Sequence, residues 1–269
     1  MTAEPTPAAL LAWYLDAGVD ETIGETPRDR YESPTITPDA TAPAIALDQP
    51  VEAPLPLTLP PSRGETPSTA GDSRRLAQAC ADLDELRAVI EDFEGCALKK
   101  TASHTVIADG NPDAHVMLIG EAPGAEEDRR GLPFVGKAGQ LLNRMLAAIE
   151  LDRTSVYITN VLPWRPPGNR TPTPEEVATC LPFVERQIEL VTPRLLVLVG
   201  GISAKSLLGR TEGITRLRGK WYDYAAIAGG APIPTTAIFH PAYLLRQPTL
   251  KREAWRDLQA IRRKLEGKT

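Results

Sequence analysis

Cysteine, histidine and aromatic residues are scarce in this chain of 269 residues: three cysteines, three histidines and 5% Phe, Trp and Tyr. Cys80, Cys96 and Cys180 are odd in number and widely spaced, which argues against a disulfide framework. His104, His115 and His240 lie too far apart to form a local metal cluster, and no Cys-x-x-Cys or His pair has metal-site spacing. The chain also lacks the Gly-x-Ser-x-Gly elbow of α/β-hydrolases and a Walker lysine after its glycines, so those two chemistries are excluded. No uninterrupted apolar stretch reaches the roughly eighteen residues of a membrane span. The opening segment MTAEPTPAALLAWYLDAG has no basic n-region of a signal peptide. The expectation is a cytoplasmic protein without a membrane partner.

With 42% hydrophobic and 24% charged residues the chain can bury a full core. The net charge of −5 is unevenly spread, because residues 1–71 carry 11 Asp and Glu against 3 Lys and Arg. The remainder is therefore mildly basic, which permits a polyanionic partner without requiring one. Leu10, Leu11, Tyr14, Leu15 and Val19 recur at helical spacing, predicting a short helix over about residues 7–19. From about Glu25 to Ser73 the chain is rich in Pro, Thr, Ala and Asp and reads as an extended linker. Residues 1–74 are thus expected to be an N-terminal extension whose helix either docks on its own domain or recruits a protein partner.

A single folded domain is expected over residues 75–269. Leu76, Cys80, Leu83, Leu86, Ile90 and Phe93 share one helical face that stops at Gly95, predicting one helix at its start. Thr105 to Ala108 is expected to form a short strand. Then come four apolar strands: His115–Ile119, Val156–Asn160, Arg194–Val199 and Ile233–Phe239. Between them lie helical patterns at Lys137–Ile149 and after Thr173, where Thr173, Pro174 and Glu176 form a capping-box signature. Ile214 to Tyr224 reads as a hairpin or extended arm, and Leu250 to Leu265 as a final amphipathic helix. The alternation predicts an α/β fold, a three-layer α/β/α sandwich around a central four-stranded parallel sheet.

Each strand runs into a turn: Gly120-Glu121, Asn160, Gly200-Gly201 and His240. In a parallel sheet these ends line one edge, so Glu121, Asn160, Ser203 and His240 are expected to converge on one crevice. The first turn, Gly120 to Asp128 (GEAPGAEED), adds glycines free to take positive φ, further carboxylates, and Phe134 shortly after.

GEAPG-x-E-E-D, PFVG-x-x-G, YITNVLPWRPPGNRTPTPEE, the Gly-Gly turn and HPAYLLR occur in one order that resembles the family 4 uracil-DNA glycosylases over about residues 90–265. The resemblance implies a DNA-repair enzyme that flips uracil from single- or double-stranded DNA and hydrolyses its glycosidic bond, acting as a monomer. Glu121 and Glu127 then match the family's carboxylates and His240 the donor to uracil O2, with Gly120, Ala122, Phe134 and Asn160 as the base pocket. Leu244, Leu245 and Arg246 resemble a minor-groove wedge, and Gly136, Asn169, Gly201 and Ser203 resemble DNA contacts. A catalytically silent binding module of the same fold is the alternative. The family usually holds a four-iron, four-sulfur cluster on four cysteines. Here Cys96 and Cys180 match two of those positions, while Phe93 and Trp164 occupy the others. The expectation is therefore no cluster and no other cofactor, with an apolar plug in its place.

Overall fold

The computed structural model describes residues 69–225 and 231–267. The chain divides into two units, residues 1–58 and 59–269, and every described residue belongs to the second. The N-terminal helix expected near residues 7–19 and most of the linker lie outside the described residues.

The strands are β1 (Ala108–Gly110), β2 (Val116–Gly120), β3 (Val156–Asn160), β4 (Leu195–Val199), β5 (Trp221–Tyr224) and β6 (Ile233–Ile238). They form one sheet in the order β1-β3-β2-β4-β6-β5. The four central strands run parallel, as the apolar runs predict. The expected four-stranded sheet is nevertheless too small, because β1 and β5 pair antiparallel at the two edges. Both additions are short and partly exposed, which is how a sheet edge avoids offering a long unpaired template.

β2, β3 and β4 are buried throughout, as parallel strands between two helical layers must be. Side chains alternate between the faces: Met117 and Ile119 enter one core, Val116 and Leu118 the other. The first core is covered by α1 (Thr69–Ala79), α2 (Leu83–Asp92) and α5 (Pro174–Val191), with α6 (Gly201–Leu208). The second is covered by α4 (Lys137–Ala147), α8 (Pro241–Arg246) and α9 (Lys251–Leu265). Two short helices, α3 (Ala125–Arg130) and α7 (Ile214–Leu217), follow β2 and α6.

Four local expectations change. The single helix expected before Gly95 is two helices, because the Asp82 side chain accepts from the amides of Asp84 and Glu85 and caps a second one. The first of them starts at Thr69, so residue 75 falls inside a helix rather than at a boundary. The strand expected at Thr105–Ala108 is instead Ala108–Gly110, and the arm at Ile214–Tyr224 is one helical turn followed by β5. The capping box is present: the Thr173 hydroxyl accepts from the Glu176 amide at 3.3 Å, and the Glu176 carboxylate accepts from the Thr173 amide at 2.8 Å.

Candidate active site

The C-terminal ends of the parallel strands border a cavity of about 370 Å³. Glu121 follows β2, Asn160 ends β3 and His240 follows β6, and all three line it with Ala122, Glu127 and Phe134. Asn160 stands beside Gly120 in the β2–β3 register. A Cβ on Gly120 would collide with Asn160 Oδ1 and the tip of the Phe134 ring, so the bare backbone keeps that corner open.

His240 caps α8, accepting from the Ala242 amide through Nδ1 at 3.1 Å. That bond requires Nδ1 to be unprotonated, which leaves the proton of a neutral imidazole on Nε2 as a donor. Burial, with help from the positive charge of Arg246 and against the opposing Glu127, pushes the imidazole pKa down to about 4. The ring is therefore neutral at physiological pH. It lies 5.6 Å from the Phe134 ring, centroid to centroid, with the planes 28° apart. Burial also raises the Glu121 carboxyl above its ordinary range.

The carboxylates of the 120–128 turn have separate jobs. Glu127 Oε1 accepts from the Val135 and Gly136 amides at 2.9 and 2.8 Å, so one of its oxygens is committed to the backbone. Asp128 is buried and accepts from the Ser103 and His104 amides at 2.7 and 3.2 Å. Glu126 pairs with Arg129 on the surface.

The chain matches the family model for the uracil DNA glycosylase superfamily over residues 107–259. It is 42% identical over 181 residues to a Type-4 uracil-DNA glycosylase of Pyrobaculum aerophilum, covering 66% of this chain and 91% of that one. A Type-4 uracil-DNA glycosylase of Thermotoga maritima is 41% identical over 173 residues, 63% of this chain and 88% of that one. A Type-5 uracil-DNA glycosylase of Pyrobaculum aerophilum is 31% identical over 150 residues, 50% and 64% respectively. The chain belongs to the uracil DNA glycosylase superfamily.

Within this superfamily member, two expected DNA contacts fall elsewhere. Ser203 is fully buried and donates to the Ile119 carbonyl at 2.6 Å, so its hydroxyl ties α6 to β2 and does not face solvent. Leu244 is 1% exposed and packs in the second core, whereas Leu245 is 40% exposed and Arg246 also projects outward. Of the three residues expected to form a wedge, only Leu245 and Arg246 are therefore exposed. Gly136 is partly exposed but its amide is held by Glu127, and Asn169 lines the cavity while its Oδ1 accepts from Arg165. Gly201 starts α6 beside Gly200, whose φ of 105° lets the chain turn close to His240.

Arg170 and Tyr243 also line the cavity. Sequence reading missed both, although Tyr243 sits within the HPAYLLR motif and Arg170 within the proline-rich loop. Arg170 is held in a two-pronged ion pair with Glu176 at 2.6 and 2.9 Å, which aims it from the base of α5.

The positions that would hold a four-cysteine cluster lie in the first core. Phe93 stacks on Trp164 with centroids 6.4 Å apart and packs edge-on against Phe183 at 5.1 Å, three residues from Cys180 on α5. The Trp164 indole donates to Thr105 Oγ1 at 3.1 Å. Cys96 and Cys180 are free thiols that share a hydrogen bond: that contact is the main cause lowering the Cys96 thiol to about 7 and raising Cys180, with burial also raising Cys180. Among the described residues no group of three or more His, Cys, Asp or Glu is placed to hold a metal ion. Two thiols beside two packed aromatic rings do not fit a four-thiolate cluster.

Proposed function

We propose that this protein is a monofunctional uracil-DNA glycosylase: it flips uracil out of DNA, hydrolyses the bond between N1 and C1′, and leaves an abasic site for repair. The observation that carries this reading is the neutral His240, with Nδ1 occupied by the Ala242 amide and Nε2–H free to donate, in one cavity with Glu121, Phe134 and Asn160. A flipped base needs an aromatic face to stack on and polar groups along its edge. Phe134 supplies the face. The Asn160 amide offers an acceptor to uracil N3–H and a donor to O4, whereas cytosine presents the reverse pattern at those atoms.

As the glycosidic bond breaks, positive charge grows on the sugar and negative charge on the departing uracil. Glu121 answers the first as a carboxylate and holds the water whose oxygen bonds to C1′. His240 answers the second by donating to O2. Because the imidazole stays neutral, it stabilises the uracil anion as a hydrogen-bond donor without first having to take up a proton. Leu245 and Arg246, exposed on α8, are suited to fill the gap left by the flipped nucleotide. Arg165 to Pro172 contains no histidine, so no histidine nucleophile stands in that loop to trap the sugar, and ordinary turnover is expected. No helix among the described residues is long and apolar enough to cross a membrane. We infer a monomeric enzyme of the cytoplasm.

The test is an oligonucleotide with one uracil, single- or double-stranded, incubated with protein and then alkali. Scission at the uracil is expected, and an intact strand in both forms would refute the assignment. We infer further that the enzyme works without an iron-sulfur cluster, because Phe93 and Trp164 cannot ligate iron. Protein purified without oxygen should be colourless, with iron and sulfide far below four per chain. A brown preparation absorbing near 400 nm, with stoichiometric iron, would overturn this.

A further inference from the structure

The Phe134 turn is gripped from both sides by groups of opposite charge. Phe134 itself stands at φ 53°, a left-handed conformation that a bulky residue adopts only when its surroundings impose it. On one side Glu127 takes the amides of Val135 and Gly136. On the other, Arg153 donates to the Pro133 carbonyl at 2.7 Å and the Phe134 carbonyl at 3.0 Å. A cation on carbonyls and an anion on amides match the polarity of the peptide groups they hold. Gly139 packs directly beneath the Phe134 carbonyl, where a Cβ would collide with it.

Arg153 is itself fixed. Its Nε donates to Asp109 Oδ2 at 2.7 Å and one terminal nitrogen reaches Asn143 Oδ1 at 3.2 Å. Asp109 lies on the edge strand β1, which anchors the guanidinium to the sheet. Arg153 does not line the cavity, so any influence on the reaction passes through the turn.

We propose that Arg153, braced by Asp109, is a positioning residue that locks the Phe134 ring in the orientation a flipped base must meet. The role of the ring rests on the uracil-excision reading above, but the lock itself does not. A planar fork with two donors on adjacent carbonyls fixes orientation in a way that a single ammonium cannot. Arg153→Met removes the fork, Arg153→Lys keeps only the charge, and Asp109→Asn loosens the brace.

Two measurements test this. In the first, the protein is labelled with 4-fluorophenylalanine, which gives resonances from only four phenylalanines, and Phe134→Leu assigns the one of interest. In Arg153→Met the Phe134 signal should shift or broaden while those of Phe93, Phe183 and Phe239 stay in place. An unmoved Phe134 signal would overturn the lock whether or not the protein excises uracil. In the second, excision is followed at saturating uracil-DNA. Arg153→Met should lower kcat about 10- to 100-fold with little change in KM, Arg153→Lys should restore only a small part, and Asp109→Asn should fall between.

The same Arg153→Met change in a Phe134→Ala background should cost less than threefold, because the ring it positions is gone. Equal losses in both backgrounds would overturn the proposal, as would a lowered melting temperature with an unchanged rate. If Arg153→Met does not fold, Arg153→Lys and Asp109→Asn carry both measurements with the same criteria. Wild-type protein that leaves uracil-DNA intact would count against the excision reading, and the fluorine spectra would still decide the lock.

Discussion

Glu121→Gln is expected to slow uracil release roughly a thousandfold, about 4 kcal/mol on the barrier. Glutamine keeps the shape and can still touch a water, but it cannot offset the positive charge growing on the sugar. In a cavity partly closed to solvent that charge term is large. In the proposed mechanism the carboxylate is the working form, and burial raises its pKa above the ordinary value of 4.5. The wild-type rate should therefore fall as pH drops through a point above 4.5, and this limb should vanish in Glu121→Gln. Any limb that persists in Glu121→Gln belongs to another group, such as His240, whose imidazole burial pulls down to about 4. Single-turnover rates from pH 4.5 to 8 read both effects. A variant within tenfold of wild type, with the limb intact, would remove Glu121 from the mechanism.

His240→Ala should cost about 100- to 1000-fold, the usual loss when one preorganised donor to a developing anion is removed. The wild-type rate should be flat between pH 6 and 7, where an unperturbed imidazole would titrate, because this one is already neutral. Substrate chemistry supplies the sharper check. The fluorine of 5-fluorouracil makes the departing anion more stable by itself, so the His240→Ala loss should be several-fold smaller on 5-fluorouracil-DNA than on uracil-DNA. Equal losses on the two substrates would mean that His240 does not act on the leaving group.

How much of this was legible in the sequence depends on how local each signal is. The central strands announce themselves because residues buried on both faces leave continuous apolar runs such as LLVLV. Parallel strand ends must share an edge, so the strand pattern alone brings Glu121, Asn160 and His240 together. The edges were not legible: β1 is three residues, Ala-Asp-Gly, and nothing in that composition marks a strand. Ser203 and Leu244 look like contact residues in a linear motif, and only packing reveals that both point inward. Arg153 gives no hint at all. Its partners Pro133, Phe134 and Asp109 are 19 to 44 residues away, a separation that no periodicity or spacing rule spans.

The break at Cys80 shows the same limit from the other side. An unbroken apolar stripe runs from Leu76 to Phe93, yet Asp82 accepts two amides and restarts the helix there. Strong periodicity established that the segment is helical, and one side-chain cap decided that it is two helices.

The stacked Phe93 and Trp164 have a consequence for how the domain is made. Where an inorganic cofactor closes a core, the polypeptide is unfinished until carrier proteins deliver the metal and a reductant keeps it intact. A phenyl ring and an indole are synthesised in place, so on the cluster-free reading proposed above the core is complete as soon as the chain folds. Neither iron starvation nor a chelator has anything to withdraw from that pair.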